Sequence, residues 1–230
     1  MGKKINIYTL CRSGNHCIIY WFLNNCGGIT NKRENYTYTN PKLGLYYYNN
    51  CNHLKHTYIN NYKLLIKSYE DMSNMPTIEN DAITVIIIRD ILNTIASRYK
   101  KYGDNLGLNK SYLQNIDDII SAWKKMAKKI INNKNIIGIL YNKWLTDSKY
   151  RDIISTKLGK YNKYDKINYV PDIGHGSSFC GVKLENDKNS YLTRYKMVTL
   201  PQWIIDRLKN DKELCILSDK LFNMNINKLL

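Results

Sequence analysis

Cys11-Arg12-Ser13-Gly14-Asn15-His16 gathers a permanent cation, a hydroxyl, an amide and an imidazole around one glycine. Before it, Ile5–Leu10 is an apolar, strand-like run; after it, Asn15–Asn25 carries an apolar helical pattern. Strand, short turn, helix is how a chain builds an anion site. The N–H groups of a helix's first turn have no partner inside the helix, and the helix dipole adds partial positive charge there. Arg12 adds a full charge at the same mouth. The expected chemistry is capture of a phosphate or sulfate. The segment lacks the glycine spacing and the Lys-Ser/Thr pair of GxxxxGK[ST], which argues against hydrolysis of ATP or GTP.

A second junction has similar chemistry. Val85-Ile86-Ile87-Ile88 is a buried-strand run that delivers Arg89, and Ser97 follows eight residues later in a helical pattern. A guanidinium grips phosphate through two hydrogen bonds, and a serine hydroxyl adds another. Pairing of Arg89 with Asp90 is the alternative. Three further groups carry potential chemistry: Lys67 with Glu70 and Asp71 at the end of another strand, Tyr141 at the end of a late strand, and the glycine-bearing stretch Gly176–Gly181 followed by Arg194.

The elements that must position these groups alternate. Strands are expected at Ile5–Leu10, Leu64–Tyr69, Thr84–Arg89 and Ile136–Tyr141. Thr84–Ile88 is continuously apolar and β-branched, as a strand covered on both faces should be. Helices are expected at Asn15–Asn25, Leu92–Lys101, Ile116–Ile131, Asp147–Leu158 and Pro201–Lys209. That alternation implies an α/β fold, a three-layer sandwich around a central parallel sheet. The chain reads as a single domain over residues 1–230. Its Tyr- and Asn-rich stretch near 31–61 reads as a loop-rich insertion, and 161–189 as a further loop.

Composition narrows the partners. The chain has 230 residues and a formal net charge of +16. Such charge suits an anionic ligand, but it also fits lysines on a solvated surface. No dense basic run occurs, which argues against nucleic acid as the partner. Lys124-Lys125 and Lys128-Lys129 recur at helical spacing and read as one solvated helix face. The six cysteines show no CxxC pair and no zinc spacing, so free thiols and no metal are expected. No run approaches the roughly 20 apolar residues of a membrane span, and no signal peptide is evident. A cytoplasmic location follows as an expectation.

Taken in chain order, these segments resemble the PAPS-dependent sulfotransferase family. Arg12–His16 is similar to the family's 5′-phosphosulfate loop, strand–[KR]-S-G-T-T–helix, with Asn15-His16 where two threonines are usual. Arg89 and Ser97 stand at the spacing of the family's 3′-phosphate ligands, with Ile91 in place of the usual proline. Tyr141 matches a tyrosine that contacts the donor's adenine. Gly176–Gly181 with Arg194 is a looser match to the loop that closes over the 3′-phosphate, implying donor contacts from Ser178, Phe179, Gly181 and Arg194.

The resemblance implies a P-loop-like sulfotransferase fold with 3′-phosphoadenosine 5′-phosphosulfate (PAPS) as donor, PAP as product and no metal. The acceptor would be a hydroxyl or amine of a glycan or small molecule. Arg12 would contact the transferring sulfonate, and the backbone of Ser13, Gly14, Asn15 and His16 would cradle the 5′-phosphate. The family's Lys-Thr-His strand end corresponds to Lys67-Ser68-Tyr69, so Lys67 matches the lysine. A phenol is a poor base at neutral pH. Glu70 is then the candidate base, with His16 as the alternative. Loss of the family's histidine leaves open a second reading, an inactive nucleotide-binding module. A basic nucleic-acid-binding protein is a third.

Overall fold

The computed structural model describes residues 2–26, 31–33, 37–40, 45–48, 63–71, 81–103, 115–159 and 188–230. Its strands are β1 (Lys3–Thr9), β2 (Asn31–Arg33), β3 (Thr37–Asn40), β4 (Leu45–Tyr48), β5 (Leu64–Glu70), β6 (Ala82–Ile88) and β7 (Ile136–Leu140). Its α-helices are α1 (Asn15–Asn25), α2 (Ile91–Tyr102), α3 (Ile116–Asn132), α4 (Tyr141–Thr146), α5 (Ser148–Leu158), α6 (Gln202–Asn210), α7 (Lys212–Phe222) and α8 (Ile226–Leu229). Two 3₁₀ turns, Lys188–Leu192 and Arg194–Met197, precede α6.

Among the described residues the strands form one sheet in the order β2-β3-β4-β5-β1-β6-β7. The four strands read from the sequence, β5, β1, β6 and β7, lie side by side and parallel. β4 joins β5 in parallel, and β2 and β3 extend the edge antiparallel. The sequence reading of 31–61 as loop therefore needs correction in its first part. Three short strands stand there, and residues 49–61 lie outside the described ones. Their Tyr, Thr and Asn residues carry none of the apolar alternation that marks a strand.

Apolar helix faces cover the sheet on both sides. α1, α4 and α5 bury Ile18, Phe22, Trp144 and Leu158 against Ile5, Ile7, Ile66 and Ile87. α2, α3 and the C-terminal helices bury Leu92, Trp123, Ile204 and Leu214 against Tyr8, Ile86 and Ile88. The expected helix bounds hold to within a residue or so, and α1 matches at both ends. α4 was not expected, because Ile136–Tyr141 reads as one strand; β7 stops at Leu140, and Tyr141 opens a helix. The expected solvated lysine face of α3 is only partly solvated. Lys124 pairs with Asp211 at 2.9 Å and with Glu213 at 3.3 Å, and Lys128 also pairs with Glu213. These contacts fasten α3 to the start of α7.

Register explains why chemistry collects at one edge. Thr9 lies opposite Glu70 and Ile87, and Ile88 lies opposite Leu140. The C-terminal ends of four parallel strands are thus level. Whatever follows them, Cys11–Gly14, Asp71, Arg89 and Tyr141, stands along the same rim. β1 sits between β5 and β6, the helix after β1 packs on one face and the helix after β6 on the other. A ligand crevice in an open α/β sheet forms at such a point.

Candidate anion-binding site

The turn after β1 is built by two residues with left-handed backbone. Arg12 has φ 67° and Gly14 has φ 80°. Gly14 stands at the N-cap of α1 and offers no side chain to the first-turn amides, so α1 has no side-chain cap. The glycine is required twice over. Its φ suits a residue without Cβ, and a Cβ there would run into the Tyr141 ring. Ser13 is buried, its Oγ 2.6 Å from Thr9 Oγ1 and its N–H donating to Leu10 O at 3.2 Å. The serine thus braces the turn through both its hydroxyl and its backbone N–H.

Tyr141 joins this loop to the second junction. Its ring covers Gly14, and the Arg89 guanidinium lies over the same ring, 5.0 Å from the centroid. Burial pushes the Tyr141 phenol well above its ordinary pKa, so it stays a neutral surface for the cation. Arg89 is 3% exposed. Its Nη2 donates to Tyr191 O, while Nε is buried without a hydrogen-bond partner. Burial pulls the Arg89 guanidinium below its usual pKa, opposed by the charge of Asp90. The expected alternative partner, Asp90, is occupied elsewhere. It caps α2 through the Asn93 N–H at 2.8 Å and accepts from Asn142 Nδ2 at 2.9 Å. Among the described residues no carboxylate pairs with Arg89.

Arg194 is brought to the same place. Asn93 Nδ2 donates to Leu192 O at 2.7 Å, and Asn93 Oδ1 accepts from Tyr195 N at 3.1 Å, which fastens the 3₁₀ segment onto α2. Arg194 is buried and stacks 4.1 Å from the Tyr191 ring centroid. Its charge is felt by both Arg89 and Tyr141. Two guanidiniums, each held by an aromatic ring, therefore share one buried neighbourhood. Such stacking softens the cost of burying a cation. Ser97 is buried in the second turn of α2.

On the other side of the loop, Asn15 Nδ2 donates to Glu70 Oε1, and His16 Nε2 lies 3.6 Å from the same oxygen. Glu70 is thus tied to the loop through Asn15, with the His16 imidazole alongside. Lys67 does not join them. Strand alternation turns it to the opposite face of β5 from Glu70, and it pairs in register with Asn6, well below the rim. The structure thus brings Gly14, Arg89, Tyr141 and Arg194 into one cluster, with Asn15, His16 and Glu70 beside it. Arg12 stands near enough to the end of α2 for its charge to act on Cys11 and Tyr102. Ser178, Phe179 and Gly181 lie outside the described residues.

Sequence reasoning missed Asn93, Asn142 and Tyr191. Their pairings bridge elements 52 to 102 residues apart, and no local pattern announces them. Among the described residues there is no group of His, Cys, Asp and Glu able to hold a metal ion, and no helix is long and apolar enough to cross a membrane.

No family model matches the chain, and no curated protein matches it. Among solved structures, the chain aligns with mouse sulfotransferase SULT7A1, determined in complex with PAP, over 95% of this chain and 89% of that one. The identity is 12% and the TM-score 0.48.

Proposed function

We propose that this protein is a sulfotransferase that takes its sulfuryl group from PAPS and passes it to a hydroxyl or amine, releasing PAP. The observation that carries the reading is Arg89. It is a buried cation without a carboxylate partner among the described residues, stacked on the tyrosine that roofs the uncapped start of α1. An anion near both Arg89 and the loop would complete both sites. A donor with phosphates on both ends of its ribose has that shape, and the residues present suit it.

When bound, PAPS would supply an electrophilic sulfur and a phosphate leaving group. The chain's own residues would hold, orient and neutralise. The amides of Gly14, Asn15 and His16 would donate to the 5′-phosphate at the positive end of α1, with Ser13, its own N–H bonded to Leu10 O, shaping the loop beneath it. Arg12 would spread the charge that develops on the bridging oxygen as the sulfur–oxygen bond breaks. Arg89, Ser97 and Arg194 would hold the 3′-phosphate, with Tyr141 against the adenine side. Ser178, Phe179 and Gly181 remain proposed donor contacts. The acceptor's oxygen or nitrogen forms the new bond to sulfur, and its proton passes to Glu70 or to His16 beside it. Lys67, facing away from Glu70, is the weakest of the proposed catalytic residues.

The test is transfer of label from radiolabelled PAPS to a panel of phenols, alcohols, amines and glycans. Product formed by the wild type and lost in Arg12→Ala supports the proposal. PAP binding without product from any acceptor would instead support the inactive nucleotide-binding module.

A further inference from the structure

Arg98, next to Ser97 on α2, has no part in the chemistry above, yet it is among the largest fully buried side chains. Its Nη2 pairs with Asp71 Oδ1, and its Nε donates to Cys11 O at 3.2 Å. Asp71 Oδ1 also accepts the Cys11 N–H at 2.8 Å. The backbone of one residue, Cys11, is therefore gripped at its N–H from the end of β5 and at its C=O from α2. Asp71 itself holds φ 52° and donates its N–H to Thr9 O at 3.0 Å, which continues the β5 pairing one step past the strand. A non-glycine residue in that conformation is uncommon, and both charges are out of water. Such a costly arrangement needs a reason beyond ending a strand.

Cys11 is the first residue of the anion loop. α2 starts just after Arg89 and carries Ser97. The clamp therefore links the two halves of the nucleotide site through one fully buried side chain. We infer that Arg98, acting through Asp71 and the Cys11 backbone, is a positioning residue that fixes the distance between the Arg12–His16 loop and the Arg89–Ser97 site. This rests on the proposed nucleotide reading. A ligand with phosphates at both ends binds as a two-point ligand, and its advantage over a one-point ligand depends on that fixed spacing.

Calorimetric titration of wild type, Asp71→Asn and the double variant Asp71→Asn/Arg98→Met with PAP and with adenosine 3′-phosphate tests this. The double variant removes both charges together and leaves neither buried alone. Asp71→Asn keeps an oxygen for the Cys11 N–H and serves if the double variant does not fold. The expected result is at least about a tenfold loss of PAP affinity, with affinity for adenosine 3′-phosphate held within about threefold. Equal losses for the two ligands, or no loss for either, overturn the inference while the nucleotide reading stands. A wild type that binds neither ligand overturns both.

Discussion

Arg89→Met removes the buried guanidinium and keeps much of its apolar bulk. Two opposite effects should follow. On the ligand side, a guanidinium gripping phosphate makes two charge-assisted hydrogen bonds of about 1.5–3 kcal/mol each. Their loss, about 3–6 kcal/mol, corresponds to a fall in PAP affinity of about 10²–10⁴. On the folding side, the free protein loses the bond to Tyr191 O and the stack on Tyr141. Those are worth about 1–3 and about 0.5–2 kcal/mol. It also loses the desolvation cost of a cation that no carboxylate among the described residues pairs with, which is several kcal/mol. The terms nearly cancel. The variant should therefore melt within about 4 °C of wild type, since about 1 kcal/mol shifts a domain of this size by 2–4 °C. The assay is a melting curve with and without PAP. A structural, ion-paired arginine would instead cost about 3–5 kcal/mol on truncation, or at least about 6 °C. A drop of that size with the PAP shift intact would refute the reasoning.

Gly14→Ala should lower the melting temperature by several degrees and weaken PAP binding. Left-handed backbone costs an alanine about 1–2 kcal/mol, and its Cβ meets the Tyr141 ring. Cys11 and Cys26 should resist alkylation at pH 8 in the folded protein and react on unfolding. Burial raises both thiols to about 12, Glu70 and Asp71 contributing to the rise at Cys11; rapid labelling of folded Cys11, read by peptide mapping, would contradict this. Asp211→Asn should destabilise most at neutral pH. Burial works against the Asp211 charge, but Lys124, the Leu214 N–H and Arg207 outweigh it and hold the carboxyl below its ordinary pKa. A depressed folded pKa gives stability above the unfolded value, near 4, that is lost as pH falls through the folded one. The difference in melting temperature between variant and wild type should shrink below about pH 4.

How much of this was legible in the sequence depended on where the signal was kept. β6 declared itself because Val85–Ile88 is buried on both faces, and α1 because a glycine turn stands directly ahead of an apolar helical pattern. α7 and α8 carry short, polar-interrupted stripes, and they rest on packing against α3 and α6 rather than on a pattern of their own. Tyr141 looked like the last residue of a strand, but its buried ring is needed over Gly14 and the chain turns into α4 there. Glu70 was visible as an acid at a strand end; its ties to Asn15 and His16 were not, because they form across 55 and 54 positions only once β5 pairs with β1. Lys67 entered beside Glu70 through the resemblance of Lys67-Ser68-Tyr69 to a sulfotransferase strand end, whereas a three-residue step along a strand changes face.

The central claim is that one nucleotide, phosphorylated at both ends of its ribose, joins the Gly14 loop to Arg89. A thermal-shift titration with PAP, run beside ATP and GTP, tests it most directly. At one hundred times its dissociation constant PAP should add about 2.7 kcal/mol of stability, a rise of about 5–11 °C, with ATP and GTP well below it. A melting temperature unmoved by PAP, or moved equally by all three nucleotides, would contradict the account.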